Sequence, residues 1–128
     1  MMKILGIGTD IVQQARIDAL WERFGQRFVK RVLSASEQAL FSQKARPTAF
    51  LAKRFAAKEA VAKAIGTGIG QNLALHEISV LNLPNGKPYV TFSGKSLEYI
   101  NTLNIQEVMI SLSDEKDHVL AFVVVTLS

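Results

Sequence analysis

The apolar residues of this chain follow two different periods, one typical of strands and the other typical of helices. Residues 4–12 are mostly branched and apolar but include Gly6 and Gly8, a pattern that predicts a β-strand lying close to another backbone or a ligand. Over residues 17–33 the apolar positions recur every three or four residues, which predicts helical structure. Gly25 is expected to divide this stretch into two short helices.

Residues with known preferences for helix ends predict two further helices. Ser34, with Glu37 three residues later, has the form of a capping box, so a helix is expected from here to about Lys44. After Pro47 an alanine-rich stretch favours a longer helix, the central one of the predicted fold. The residues expected at its ends are Thr48 as the N-cap, Ile65 as the last helical residue and Gly66 as a left-handed stop.

The remainder of the chain is dominated by strand patterns. The pair Asn85-Gly86 is a strong turn signal between two apolar segments, and an acidic turn at 114–117 separates two more. The predicted strands are 78–83, 89–92, 108–113 and 118–126, with a short helix at 94–103. A strand and helices followed by antiparallel strands, with one long helix, predict an α+β fold. The length of 128 residues predicts a single domain over residues 1–128.

Composition restricts the class of protein further. A hydrophobic content of 48% in so short a chain suggests that some apolar surface is buried between subunits, and the formal net charge of +4 favours acidic partners. Without cysteine the chain has no disulfide framework and no thiol nucleophile, which fits the cytoplasm. The longest late apolar run, 119–125, is far shorter than the roughly 20 residues that cross a bilayer. Residues 1–12 lack a signal-peptide pattern, so we expect no membrane association.

Two carboxylates stand out as candidate functional groups. On the long helix, Ala52 and Ala56 share a face with Glu59 and Lys63, so another element or a ligand can approach the carboxylate closely. The alternative is an exposed salt bridge between Glu59 and Lys63 that contributes little to stability. Asp10, near the end of the first strand, either caps a turn or provides a second carboxylate. If the strand packs beside the helix, the two carboxylates suit Mg²⁺, which takes one or two carboxylates together with water and substrate phosphates.

Two cations fall on the apolar face of the same helix. Arg54 and Lys58 lie within the arc of its hydrophobic residues, where charged groups are unusual. Either their apolar stems extend past the core so that the charges reach water, or this edge of the helix faces an anion. Glycines on both sides of Thr67 could also expose backbone N–H groups to a phosphate, although the C-terminus of a helix does not attract anions.

Several segments together resemble the holo-acyl-carrier-protein synthase family of 4′-phosphopantetheinyl transferases. They are GIGTDIV at 6–12, RVLS at 31–34, FLAKRFAAKEA at 50–60, GTGI at 66–69, GKP at 86–88 and the pair Ser113-Asp114. The resemblance covers nearly the whole chain and implies the fold of that family. It implies transfer of the 4′-phosphopantetheine arm of coenzyme A to a serine of acyl carrier protein, for fatty acid biosynthesis, with release of adenosine 3′,5′-bisphosphate. It also implies a homotrimer with active sites between subunits.

The resemblance implies roles for individual residues as well. Asp10 and Glu59 would bind Mg²⁺ on the pyrophosphate of coenzyme A, and Lys63 would help to neutralise that pyrophosphate. These three residues form the expected catalytic group, in which Glu59 also orients or deprotonates the serine hydroxyl, directly or through a bound water. The residues expected to contact coenzyme A are Lys63, Arg54, Gly66, Thr67, Gly86, Lys87 and Pro88.

An acidic carrier protein would be attracted to the cationic first helices. The arginines expected to dock it are Arg16, Arg23 and Arg27, with Arg31 as a further candidate. One position departs from the family pattern: many relatives have histidine where this chain has Asp114, so the contact of that histidine with the cofactor does not transfer.

Two rival functions remain open. The first is a basic α+β module that binds RNA, but the chain lacks the aromatic, glycine-rich strand signature of such modules, so nucleic acid is not the expected partner. The second is a carrier-binding subunit without catalysis, which the intact Asp10, Glu59 and Lys63 disfavour.

Overall fold

The computed structural model describes residues 2–128, which contain five strands and five α-helices. The strands are β1 (Lys3–Gln13), β2 (Ile78–Asn82), β3 (Pro88–Phe92), β4 (Ile105–Asp114) and β5 (His118–Leu127). The helices are α1 (Gln14–Phe24), α2 (Gln26–Val32), α3 (Ala35–Phe41), α4 (Pro47–Ile65) and α5 (Gly94–Asn101), and a 3₁₀ turn, Leu75–Glu77, precedes β2. The predicted α+β class is confirmed.

The last strand along the chain, β5, is the middle strand of the main sheet. Its neighbours β1 and β4 both run antiparallel to it, and β2 and β3 form a separate antiparallel pair. Alternate side chains of β5 face the core, as the period of a strand requires. These buried side chains are Val119, Ala121, Val123 and Val125. Helix α4 packs across this face against β1 and β5, so the core lies between the helix and the sheet.

The opposite face of the main sheet, called the outer sheet face below, is apolar but exposed. Ile7 on β1 pairs with Val124 on β5, which in turn pairs with Met109 on β4. The exposed large apolar residues of this face are Ile4, Ile7, Ile11, Met109, Leu120 and Phe122. A continuous exposed apolar surface of this kind is typical of a protein interaction site.

Two glycines allow β1 to contact the backbone of α4. A Cβ atom added to Gly6 would lie 2.1 Å from the carbonyl oxygen of Ala64, and one added to Gly8 would lie 2.1 Å from that of Ala60. No side chain fits at these distances, so the space itself requires glycine. Asp10 follows Gly8 by two residues and therefore lies on the same, helix-facing side of β1. The close approach thus carries a carboxylate to the surface of the helix.

Most of the predicted helix boundaries are confirmed. The N–H of Ser34 donates to Oε1 of Glu37 at 2.8 Å and the N–H of Glu37 donates to Oγ of Ser34 at 3.4 Å, which completes the capping box of α3. Gly25 separates α1 from α2 with φ at 54°, and Gly66 ends α4 with φ at 101°. Both glycines adopt the positive φ that other residues rarely adopt.

Three helix limits differ from the prediction, one of them the end of α5, which is Asn101 and not residue 103. Thr48 is not the N-cap of α4, because Pro47 is the first helical residue and Arg46 is the cap. Proline suits this position since its φ is already helical and it has no N–H to leave unpaired. Helix α3 ends at Phe41, before the predicted end at Lys44. The N–H of Lys44 donates to the carbonyl of Phe41, three residues back, which is the hydrogen bond of a 3₁₀ turn and not of an α-helix. No helix in residues 2–128 combines the length and apolar character needed to cross a membrane.

Lys58, Glu37 and Arg54 form a buried ion cluster between α3 and α4. The first two residues are 0% exposed and Arg54 is 6% exposed. Nζ of Lys58 donates to Oε1 of Glu37 and to the carbonyl of Val32, while Oε2 of Glu37 accepts from the N–H of Val80. The interpretation in which the two stems reach water is therefore wrong. The anion that this face of the helix meets is the chain's own Glu37.

Burial is the dominant influence on the lysine of this cluster. It lowers the pKa of Lys58 to about 8, and the adjacent Glu37 carboxylate opposes part of that effect. The charges of a buried ion pair offset each other's desolvation cost only while both are present, because either charge alone would be buried without compensation. The cluster therefore links α3, α4 and β2, and removal of one of its charges alone would destabilise the fold.

Candidate active site

Asp10 and Lys63 are in contact where β1 crosses α4. Nζ of Lys63 lies 3.0 Å from Oδ1 of Asp10 and 3.0 Å from the carbonyl oxygen of Thr9. The side chain of Asp10 is 15% exposed and that of Lys63 is 52% exposed, so the pair is open to solvent on one side. Among the residues described, the ion pair of Lys63 is with Asp10, and the alternative of an exposed salt bridge between Glu59 and Lys63 is wrong.

Glu59 lies beside this pair and is half-buried. Burial raises the pKa of Glu59, and the negative charge of Asp10 raises it further, while the positive charges of Lys63 and Arg16 lower it. Four of the predicted residues therefore share one electrostatic environment. The condition set by the sequence, that the first strand packs beside the long helix, is met.

The two carboxylates fit the metal that the family resemblance implies. Mg²⁺ in proteins takes one or two carboxylates and completes its octahedron with water and substrate phosphates. Asp10 and Glu59 provide this donor set, and the described residues contain no larger cluster of three or more His, Cys, Asp or Glu side chains. A cation held by these two residues would sit beside the ammonium of Lys63, where both positive charges face one anionic ligand.

The loop after α4 lies close to the same group. Gly66 and Thr67 follow Lys63 within one helical turn, and both are exposed. The hydroxyl of Thr67 donates to the carbonyl of Gly68 at 3.0 Å, which keeps the loop compact. Lys63, Gly66 and Thr67 thus lie close together at the C-terminal end of α4.

Three of the four other predicted coenzyme A residues line a cavity of about 690 Å³, called the basic cavity below, beside the N-terminal half of α4. Arg54, Gly86 and Pro88 lie on its wall, whereas Lys87 is exposed and outside the lining. The charged residues of the lining are the cations Lys44, Arg46, Lys53, Arg54 and Lys116 and the carboxylates Asp114 and Glu115. The excess of positive charge suits an anionic ligand.

Arg54 connects the basic cavity to the buried ion cluster. Its Nη2 donates to Oδ1 of Asn82 at 2.9 Å, and its Cζ lies 4.4 Å from the ring centroid of Phe50. Its Nε is 4.0 Å from Oε2 of Glu37. These contacts fix the guanidinium group in the cavity wall. Arg54 and Lys63 are nine residues apart on α4, about 13 Å along the axis and about 180° around it, so their side chains leave opposite sides of the helix.

Asp114, where the chain departs from the family pattern, faces a lysine. Its Oδ2 lies 3.5 Å from Nζ of Lys53 on α4, and both side chains line the basic cavity. The neighbouring Glu115 is 3.7 Å from Nδ1 of His118. The negative charge of Asp114 is thus compensated by a cation of the same cavity, a partner that sequence spacing did not reveal.

The predicted docking arginines lie along α1 and α2. Arg16 stands over the ring of Phe55, with its Cζ 5.5 Å from the centroid, on the side of Glu59. Arg23 and Arg27 both contact the ring of Phe24, at 5.1 Å and 5.8 Å. Between these helices is an apolar groove of about 300 Å³, lined by Leu20, Phe24, Arg27, Phe28 and Arg31. The sequence predicted the charges of this surface but not its apolar floor.

Glu37 is the main residue whose role the sequence analysis missed. It was assigned to the capping box alone, yet it also binds Lys58 and the N–H of Val80. The available signal was Lys58 itself, since a lysine on an apolar helix face needs a counter-charge and Glu37 is a carboxylate on the preceding helix, α3. The sequence analysis also missed polar residues that the fold brings to the lining of the basic cavity, namely Lys44, Arg46, Lys53, Asn82 and Lys116.

Comparison with known proteins identifies the family. Residues 6–123 match the 4′-phosphopantetheinyl transferase superfamily. A protein of Nitrosococcus oceani named holo-(acyl-carrier-protein) synthase is 48% identical over 120 residues, which cover 94% of this chain and 78% of that protein.

Solved structures agree with the sequence comparison. Holo-(acyl-carrier-protein) synthase from Neisseria meningitidis superposes with a TM-score of 0.92 at 45% identity and covers 96% of this chain and 98% of that one. The enzyme from Helicobacter pylori, solved in complex with coenzyme A, gives 0.80 at 38% identity and covers 93% and 98%. The matched residues include both β1, which carries Asp10, and α4, which carries Glu59 and Lys63. This chain therefore belongs to the 4′-phosphopantetheinyl transferase superfamily.

Proposed function

We propose that this protein is a Mg²⁺-dependent holo-(acyl-carrier-protein) synthase, which transfers 4′-phosphopantetheine from coenzyme A to a serine of apo acyl carrier protein. Adenosine 3′,5′-bisphosphate is the second product, and the modified carrier serves fatty acid biosynthesis. The observation that carries the proposal is the meeting of Asp10, Glu59 and Lys63 at the crossing of β1 and α4. Relatives that bear this name share the sequence over nearly its whole length.

The reaction is a displacement at phosphorus. The serine oxygen forms a bond to the phosphorus that carries the pantetheine arm, and the bond from that phosphorus to the bridging oxygen of the pyrophosphate breaks. Negative charge develops on the leaving phosphate oxygens, where the ammonium of Lys63 stabilises it. Glu59, whose pKa burial raises, orients the serine hydroxyl and accepts its proton directly or through a water.

Asp10 and Glu59 are the residues that would hold the metal. Bound Mg²⁺ supplies Lewis-acid neutralisation of the pyrophosphate oxygens. Asp10 also holds Lys63 in place through their contact of 3.0 Å, so its removal would affect the ammonium as well as the metal.

Since the active sites are proposed to lie between subunits, coenzyme A is proposed to extend from this group on one subunit to the basic cavity of a neighbouring subunit. Its pyrophosphate lies at Lys63, with Gly66 and Thr67 nearby, and its nucleotide end lies against Arg54, Gly86 and Pro88, with Lys87 at the rim. The excess of cations in the basic cavity supports this orientation.

The active form is proposed to be a homotrimer with active sites between subunits. The outer sheet face supports this assembly, because it exposes Ile7 at 63%, Ile11 at 65% and Phe122 at 41% of their surface. Apolar surface of this size is usually buried against another chain. The number of subunits follows from the family resemblance. The proposed location is the cytoplasm, in agreement with the absence of cysteine.

The carrier protein is proposed to dock on α1 and α2. Arg16, Arg23 and Arg27 provide positive charge for an acidic surface, and the apolar groove next to Arg27 and Arg31 provides a place for an apolar side chain of the carrier. Arg16 lies near Glu59, so a carrier bound along these helices would have its serine close to the catalytic group.

One assay tests the proposed function directly. The full chain is incubated with apo acyl carrier protein, coenzyme A and Mg²⁺, and the carrier is weighed by mass spectrometry. We expect the mass of one phosphopantetheine to be added, and the addition to be lost in excess EDTA and restored by Mg²⁺. If no adduct forms while a characterised synthase modifies the same carrier, the transferase assignment is wrong. RNA binding in the absence of an adduct would instead favour a nucleic-acid module.

A further inference from the structure

The basic cavity contains one lysine whose charge is compensated by a carboxylate of the same wall. Nζ of Lys53 lies 3.5 Å from Oδ2 of Asp114, and the two side chains are 36% and 50% exposed. Asp114 is the last residue of β4, and Lys53 is in the second turn of α4, so the pair links the edge of the sheet to the helix across the cavity wall.

Two other cations of the basic cavity contact an aromatic ring. Arg54 and Lys44 both contact the ring of Phe50, with Cζ at 4.4 Å and Nζ at 5.2 Å from its centroid. Arg46 is the N-cap of α4, where the helix end itself is positive. These groups create a site for an anion, and Asp114 is the acidic residue of the lining that is paired with one of the cations.

The identity of the anion rests on the proposed function. Coenzyme A has two anionic parts, the pyrophosphate and the 3′-phosphomonoester on the ribose. The pyrophosphate is assigned to Lys63 and the two catalytic carboxylates, so the phosphomonoester is the group left for the basic cavity. A phosphomonoester dianion would be attracted by Lys53 and repelled by Asp114.

We propose that Asp114 is a specificity-determining residue, which weakens the hold on the 3′-phosphomonoester of coenzyme A by pairing with Lys53 and by placing a negative charge in the cavity. The chain consequently discriminates less between coenzyme A and dephospho-coenzyme A than it would with a neutral residue at this position. Asp114 touches neither the pyrophosphate nor the catalytic group, so its effect is confined to the nucleotide end.

The test compares the dissociation constants of coenzyme A and dephospho-coenzyme A, measured by calorimetry on the full chain and its variants. Asp114→Asn should tighten coenzyme A binding by about 3- to 10-fold at low salt, since it removes one charge near a dianion, and should change dephospho-coenzyme A binding by less than about 2-fold. Asp117→Asn is the matched control, because it removes the same charge from the same turn at a residue outside the cavity lining.

A second comparison tests the pairing itself. Lys53→Met should weaken coenzyme A binding more in the Asp114→Asn background than in the wild type, because Asp114 compensates Lys53 only when it is charged. The proposal is overturned if Asp114→Asn weakens coenzyme A binding, if it affects both ligands equally, or if Asp117→Asn has the same selective effect. Failure of the proposed function would look different: no phosphopantetheine would reach the carrier whatever the residue at position 114.

Discussion

The ammonium of Lys63 lies 3.0 Å from Oδ1 of Asp10, so a residue of the long helix and a residue of the first strand share one charge pair. This pair joins two elements that are far apart along the chain. It also places a cation where the pyrophosphate of coenzyme A is proposed to bind.

Lys63→Met should therefore lower kcat/KM for coenzyme A by about 10²- to 10³-fold, the usual effect of removing one group that stabilises developing charge. The carrier assay by mass spectrometry gives the rate, and circular dichroism gives the fold. Lys95→Met is the matched control, because Lys95 is exposed on α5, away from the site. A variant with normal kcat/KM would remove Lys63 from the catalytic group.

Gly8→Ala should destabilise the fold and displace Asp10. The added Cβ would lie 2.1 Å from the carbonyl oxygen of Ala60, so β1 must move away from α4. Overpacking of this kind costs about 1–3 kcal/mol, measured as the free energy of unfolding in urea, and the rate of transfer should fall further than the loss of folded protein explains. Gly70→Ala is the matched control, since nothing lies within 4 Å of the position of its Cβ. Equal stability of the two variants would contradict the close approach.

Lys58→Met should lower the free energy of unfolding by about 3–5 kcal/mol, because it removes the hydrogen-bonded counter-charge of the buried Glu37 carboxylate and leaves only Arg54, at 4.0 Å. The double variant Glu37→Gln, Lys58→Met should lose less than the sum of the two single variants. Urea denaturation at pH 7 measures all three. Strict additivity would show that the two residues do not interact.

The same lysine predicts how stability depends on pH. The pKa of Lys58 is lowered to about 8 by burial, below its ordinary value of 10.5. Between these pH values the unfolded chain binds more protons at this residue than the folded chain does, so the contribution of Lys58 to the free energy of unfolding should rise with pH. The difference in stability between wild type and Lys58→Met should accordingly widen from pH 8 to pH 10. A constant difference would contradict the lowered pKa.

Phe122→Glu should dissociate the proposed trimer. Phe122 is 41% exposed at the middle strand of the outer sheet face, and a carboxylate there would have to be buried in the subunit interface. Light scattering should show a smaller particle and the transfer assay a large loss of activity. Leu97→Glu, at a residue of α5 that is 39% exposed, should alter neither. A Phe122→Glu variant of unchanged mass would exclude this face as the interface.

Arg27→Glu should raise KM for the carrier by about 3- to 10-fold at low salt and leave KM for coenzyme A unchanged, because it reverses one charge beside the apolar groove. The effect should shrink as salt is added. Lys95→Glu makes the same change of charge on α5 and should have no such effect. A carrier KM that is independent of salt in the wild type would count against docking by charge.

The sequence predicted the local elements well because they depend on neighbouring residues. The capping box at Ser34, the break at Gly25 and the stop at Gly66 each follow from the chemistry of one or two side chains. Thr48 was wrongly predicted as the N-cap, because the preceding Pro47 can itself occupy the first position of a helix and does so in α4. The resemblance to the family implied that Asp10 lies near Glu59. Residue spacing alone allowed this only if the first strand packs beside the long helix.

Contacts between distant segments were not accessible in this way. Lys58 was recognised as unusual, but its partner Glu37 becomes evident only when α3 lies against α4. The pairing of Lys53 with Asp114 likewise needs β4 beside the helix. Periodicity shows on which face of a helix or strand a residue lies. Which residues of other elements contact that face depends on how the elements pack.

The position of β5 has a consequence for how the protein is made. During synthesis β1 emerges from the ribosome before β5, which is its one strand partner within residues 2–128. Until β5 is released, β1 has no partner in the sheet, although it also contacts α4 directly. We therefore expect the catalytic group to be complete only after β5 has been made, and the unpaired apolar β1 to be prone to aggregation before then.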